Sequence, residues 1–123
     1  MRILVIEDDR PTIELLLRVL EADGHVVLGE RTGTAGLERA TAEPWDLVIS
    51  DIGLPDMSGY EVARTLRADR SLDASWLVAL TGYAQPDDRE RAAEAGFDAH
   101  VAKPPSIDAL AEAIDGKGDR LRP

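Results

Sequence analysis

The sequence predicts an α/β domain: a five-stranded parallel sheet with helices on both faces. Three observations predict it. Five short apolar runs alternate with five helical patterns, the order of repeated βαβ units with right-handed crossovers. The best-defined runs are continuously apolar rather than alternating, as in strands buried on both faces. The 123 residues are 44% hydrophobic, enough for one core and not two.

The elements follow in order. Ile3-Leu4-Val5-Ile6 is the first strand, ended by Glu7-Asp8-Asp9. Pro11 suits a first helical turn, and Ile13, Leu16, Leu17 and Leu20 recur at helical spacing until Gly24 closes the helix. His25-Val26-Val27-Leu28-Gly29 is a second strand, and Thr32-Gly33-Thr34 makes a turn and cap. Ala35, Leu37 and Ala40 to Ala42 form a short helix ending near Pro44. Leu47-Val48-Ile49 is the third strand, ending at Asp51. Ser58 and Glu61 have capping-box spacing before a stripe of Tyr60, Val62, Ala63 and Leu66. Trp76 to Leu80 is the fourth strand, ending at Thr81-Gly82. A charged helix from Gln85-Pro86 turns Ala92, Ala93 and Ala95 inward and stops at Gly96. Ala99 to Ala102 is the fifth strand, ending at Lys103-Pro104. Ile107, Leu110, Ala111 and Ile114 mark the last helix. Residues 1–116 make the domain, and 117–123 a polar, frayed tail.

The formal net charge is −10, which argues against generic binding to nucleic acid phosphates. There is no cysteine, so disulfides and thiolate metal sites are excluded and a reducing compartment fits. The N-terminal apolar run is too short for a signal peptide, and no run approaches the about 20 residues of a membrane span. A soluble cytoplasmic domain is expected.

In an open parallel sheet, ligands sit beyond the carboxyl ends of the strands. This chain places Glu7 and Asp8, Asp51, Thr81 and Lys103 at those ends. Each alone has a commonplace reading: acid pairs occur on solvated loops, and Thr-Gly marks turns. Their conjunction at one rim changes that. Three neighbouring carboxylates repel unless a cation joins them. Mg²⁺ suits them, because it takes oxygen ligands and keeps water and phosphate in its shell. A carboxylate can also accept a phosphoryl group, and such transfer needs positive charge around the equatorial oxygens.

The chain resembles the receiver domain of two-component response regulators over about residues 2–115. The matching pieces are Ile3-Leu4-Val5-Ile6-Glu7-Asp8-Asp9, Asp51-Ile52-Gly53-Leu54-Pro55-Asp56-Met57-Ser58-Gly59-Tyr60-Glu61, Ala79-Leu80-Thr81-Gly82 and Val101-Ala102-Lys103-Pro104. The resemblance implies a doubly wound, flavodoxin-like fold with strand order 2-1-3-4-5. It implies that Asp51 is the phosphoacceptor, phosphorylated by a histidine kinase or histidine phosphotransfer protein. It implies Mg²⁺ at Glu7, Asp8, Asp51 and the Gly53 backbone carbonyl, with Asp8 rather than Glu7 as the direct ligand of the acidic pair. Thr81 looks like the switch hydroxyl and Lys103 like the phosphate-pairing lysine, followed by a cis bond to Pro104. Such a domain assists its own phosphorylation and is not a turnover enzyme.

Some positions depart from the pattern. The switch position three residues before the lysine is usually aromatic and here is His100. Its polarity makes burial costlier, so a partly exposed edge-strand histidine is expected ahead of a switch role. Gly53 and Tyr83 occupy the positions that modulate phosphate lifetime. Gly53 offers no shield, so Tyr83→Ala is expected to shorten the half-life. Residues 80–89 and 95–100 resemble receivers attached to hybrid histidine kinases more than those of winged-helix transcription factors, and no output domain is expected within the 123 residues. Rival readings are a degenerate receiver acting as a docking scaffold, an aspartate phosphatase and a flavin module. Gly53 stands where the phosphatase would need its second acid, and the acids after the first strand oppose a flavin phosphate.

Overall fold

The computed structural model describes residues 1–69, 75–82 and 86–116. Five strands alternate with five helices: β1 (Arg2–Ile6), α1 (Arg10–Ala22), β2 (Val26–Glu30), α2 (Gly33–Ala42), β3 (Leu47–Asp51), α3 (Gly59–Ala68), β4 (Trp76–Thr81), α4 (Pro86–Ala95), β5 (Ala99–Ala102) and α5 (Ile107–Ile114). The strands form one sheet in the order β2-β1-β3-β4-β5, with every neighbouring pair parallel. This is the expected doubly wound architecture.

Side-chain alternation along each strand divides the core into two layers. Ile3 and Val5 face α1 and α5, where they pack with Ile13, Leu16, Leu20, Leu110 and Ala113. Leu4 and Ile6 face the other side, packing with Ala40, Tyr60, Val62, Leu66, Ala92 and Phe97. The central strands carry apolar residues on both faces because both faces are covered. Burying each large aliphatic side chain contributes about 1.5–3 kcal/mol against the entropy of ordering the chain.

Local signals set the helix ends. Asp9 caps α1 by accepting from the Thr12 amide, Thr32 caps α2 through Ala35, Ser58 caps α3 through Glu61, and Ser106 caps α5 through Ala109. The α5 stripe differs from expectation. Leu110 and Ala113 are the buried residues, whereas Ile107 is 64% exposed and Ala111 is exposed. Ile107 is the first helical residue, ahead of the turn that first meets the sheet. The strand β2 begins one residue later than the sequence suggested, at Val26.

One ion pair ties the layers together. Arg67 on α3 pairs with Asp98, donates to Gly96 O at 2.8 Å and reaches Ser75 O at 2.9 Å. Asp98 in turn accepts from the Leu77 amide. This fixes α3 against the start of β4 and the entry to β5.

Candidate functional site

Parallel register brings the carboxyl ends of β1, β3, β4 and β5 to one rim. The switch point of the winding lies between β1 and β3, and the acidic residues stand there. Asp51 is the last residue of β3 and is 5% exposed. Glu7 follows β1 directly and is fully buried. Glu7, Asp8 and Asp51 each present an oxygen within 4.8 Å of the others.

Lys103 leaves β5 with its amide donating to Thr81 O at 2.8 Å, and the bond to Pro104 is cis, as expected. Its Nζ lies 2.8 Å from Glu7 Oε1 and 3.1 Å from Asp51 Oδ1. Burial works against the lysine charge, but hydrogen bonds to Glu7 and Asp51 outweigh it and hold its pKa above the ordinary value. Burial, followed by the adjacent Asp51 carboxyl, pushes Glu7 up to about 7 against the pull of Lys103.

The donor set fits a hard divalent cation. It is all oxygen and acidic, and Glu7 Oε2 is a buried acceptor with no hydrogen-bond partner. An open cleft of about 420 Å³ gives access, lined by Asp8, Asp51, Gly53, Thr81 and Lys103 together with Tyr60 and Asp88.

The turn after β3 is tightly built. The Gly53 amide donates to Asp51 Oδ1 at 3.3 Å, and Gly59 N donates to Ile52 O at 2.7 Å. A Cβ on Gly59 would stand 2.3 Å from Asp51 O, so only glycine lets α3 start so close to the acceptor. A Cβ on Gly53 would meet nothing within 4 Å.

His100 corrects the sequence-based expectation. It is 7% exposed rather than partly exposed, and its Nε2 is hydrogen-bonded to Thr81 Oγ1. The register pairs His100 with Ala79, so the ring lies on the same face as Thr81 two residues further along β4. That bond offsets the cost of burying a polar ring. Tyr83 and the 117–123 tail lie outside the described residues.

Residues 3–115 match the model of the response regulator receiver domain. The chain belongs to this family. It is 32% identical over 112 residues to the polar-differentiation response regulator DivK of Brucella ovis, covering 91% of each chain. Among solved structures, it is similar to a CheY-like receiver domain protein from Methanospirillum hungatei, with 32% identity, a TM-score of 0.86 and coverage of 94% of this chain and 91% of that one. It is also similar to the receiver domain of a signal transduction histidine kinase from Syntrophus aciditrophicus, with 31% identity, a TM-score of 0.84 and coverage of 93% and 86%. Receivers generally bind Mg²⁺ at an acidic pocket, and this receiver has the acidic cluster for it.

The receiver thus gathers Glu7, Asp8, Asp51, Gly53, Thr81 and Lys103 as the sequence suggested. Three further residues carried no signal strong enough to find. Asp56 accepts from the Gly33 and Thr34 amides, both at 2.8 Å, and from Thr34 Oγ1 at 2.6 Å, tying the acceptor turn to α2. The Thr34 and Gly33 bonds hold its pKa down at about 2. Tyr60 reads as part of an apolar stripe, and Asp88 as one charge of a solvated helix. Only the folded chain shows both on the cleft wall.

Proposed function

We propose that this receiver is a phosphoacceptor of a two-component phosphorelay, phosphorylated on Asp51. The observation that carries the reading is Asp51 itself: nearly buried at the end of β3, open to the cleft, with Lys103 Nζ at 3.1 Å and two further carboxylates beside it.

The donor is a phosphohistidine on a histidine kinase or histidine phosphotransfer protein. An Asp51 carboxylate oxygen forms the new bond to phosphorus as the phosphorus–nitrogen bond breaks. The imidazole keeps the electron pair and takes up a proton from solvent. Lys103 leaves its ion pairs with Glu7 and Asp51 to meet the phosphoryl oxygens, and the Thr81 hydroxyl donates to another. Asp8, Asp51 and the Gly53 carbonyl, with Glu7 beside them, would hold Mg²⁺, which when bound would supply positive charge against the transferring group. The inward movement of Thr81 and Lys103, with His100 bonded to Thr81 beneath it, shifts the α4–β5–α5 face toward a second arrangement.

The receiver assists its own phosphorylation and dephosphorylation and turns over no external substrate. Gly53 supports this, since it puts no acid two residues after Asp51. Among the described residues, no helix is long and apolar enough to cross a membrane, in keeping with a cytoplasmic role. The likeness to a histidine kinase's receiver domain supports a kinase-linked setting.

Intact-mass measurement after incubation with a small phosphoryl donor and Mg²⁺ tests the assignment. Wild type gains the mass of one phosphoryl group and Asp51→Asn gains none. No gain in wild type, or an equal gain in Asp51→Asn, overturns it.

A further inference from the structure

Asp88 is a cleft carboxylate to which the scheme above gives no role. It sits in the first turn of α4, is partly buried, and lines the cleft together with Asp8, Asp51 and Lys103. Its neighbour Asp87 is exposed and does not line the cleft.

Nothing described neutralises Asp88. The ion pairs among described residues engage other acids. Arg91, one turn further along α4, lies over the Tyr60 ring, 4.5 Å from its centroid. Tyr60 is itself a cleft wall. Burial and then Asp88 raise the Tyr60 pKa, while Arg91 lowers it, so the Asp88 charge is felt at that wall. Lys103 is the lining cation, and Glu7 and Asp51 already engage it. Of the lining carboxylates, Asp8 and Asp88 have no ion pair among the described residues; Asp8 belongs to the acidic cluster that would take the metal, which leaves Asp88 unanswered.

We infer that Asp88 is a specificity-determining residue for the phosphodonor, repelling anionic donors from the cleft and disfavouring the more highly charged ones. This rests on Asp51 being the phosphoacceptor. Like charges focused in a cleft slow the entry of a ligand of the same sign. A protein-borne phosphohistidine offsets that repulsion with contacts elsewhere on its surface. A free small donor has none. Asp88 thus biases the receiver toward partner proteins and against stray phosphoryl donors.

Two free donors of different charge test this. Acetyl phosphate is a dianion, and acetate leaves with the electron pair of the phosphorus–oxygen bond. Phosphoramidate near neutral pH is a monoanion, and ammonia leaves with the pair of the phosphorus–nitrogen bond. In both, an Asp51 oxygen forms the new bond to phosphorus. Initial rates of mass gain are compared for the whole chain with Mg²⁺, in low salt and in about 1 M salt, where the screening length is about 3 Å.

Asp88→Asn is expected to accelerate acetyl phosphate severalfold and phosphoramidate less. Both gains should shrink in high salt. Asp88→Glu, which keeps the charge, should retain the slow rate. Unchanged rates in Asp88→Asn, or an equal and salt-independent gain with both donors, overturn the inference. Asp51→Asn runs in parallel. If it gains the same mass as wild type, the phosphoacceptor assignment has failed; if it gains none while Asp88→Asn matches wild type, only the role of Asp88 has failed.

Discussion

The Thr81 hydroxyl and the His100 imidazole are hydrogen-bonded to each other in the interior, although they sit on different strands. Each is nearly inaccessible to water, with 4% and 7% exposure. A buried polar group that loses its partner keeps the desolvation cost of burial, about 1–3 kcal/mol. Thr81→Val and His100→Phe keep similar shapes and remove one partner each. Each is expected to lower stability in urea by about 1–2 kcal/mol. The double variant should lose less than the sum, by about 1 kcal/mol, because the Thr81–His100 bond, broken in each single variant, is lost only once. Strict additivity would show that the two side chains do not support each other.

Much of this site was legible because its residues are tied to strand ends. A strand buried on both faces reads as an unbroken apolar run, and the residue that ends it is fixed to within one position. Asp51, Thr81 and Lys103 follow from that. The partnership of His100 was not legible. Burial of a polar ring is judged by what it meets, and Thr81 is 19 residues away in sequence. The Arg67–Asp98 pair, separated by 31 residues, and the bonds from Asp56 to α2 are hidden for the same reason. Periodicity reports which face of an element is apolar; it does not report which polar side chain waits across a loop. Asp88 shows the converse, since its charge was plain but its position over the cleft depends on how α4 is laid on the sheet.

Gly59 and Gly53 flank the same turn and should respond oppositely to a methyl group. In Gly59→Ala the new Cβ would stand 2.3 Å from Asp51 O and 2.7 Å from Ile52 Cα. Both are backbone atoms of the acceptor turn and have no rotamer to yield. Overpacking of this kind costs about 1–3 kcal/mol, and the shift it forces should also weaken Mg²⁺ binding. Gly53→Ala enters open space and should change stability by less than about 0.5 kcal/mol. Urea unfolding and Mg²⁺ titration of the two variants check this pair. Equal behaviour would mean that the turn relaxes freely around residue 59.

Asp56 should control the acid limb of stability. Its bonds to Thr34 and Gly33 lower its folded pKa from 3.8 to about 2. A depressed carboxyl stabilises the fold above its unfolded value and loses that contribution as pH falls through the folded one. The window is therefore from about pH 4 down to about pH 2. Over it, wild type should lose more stability than Asp56→Asn, which has no charge to lose. Amide exchange at Gly33 and Thr34 should quicken in the variant even at neutral pH. Superimposable acid limbs would show that Asp56 contributes nothing through its charge.

Glu7 carries the opposite sign. Its folded pKa stands near 7 against an ordinary 4.5, chiefly because it is buried and next because Asp51 is beside it. A raised carboxyl contributes stability that is fully present below the unfolded value and is lost as pH rises through the folded one. Metal-free protein should therefore weaken between about pH 5 and pH 8, by on the order of 3 kcal/mol from this residue. Glu7→Gln, which has nothing to ionise, should remove most of the decline and be the more stable protein at pH 8 in chelator. Mg²⁺ reverses the ordering. A cation that binds only the folded state adds about 2.7 kcal/mol at a hundredfold excess over its dissociation constant, and it competes with the proton on the same acidic cluster. The stabilisation by Mg²⁺ should thus be larger at pH 8 than at pH 5.5 in wild type and smaller in Glu7→Gln at either pH. Urea unfolding at the two pH values, with chelator and with Mg²⁺, reads all of these quantities. Parallel pH profiles for wild type and Glu7→Gln in chelator would show that Glu7 ionises in the folded protein as it does in the unfolded chain.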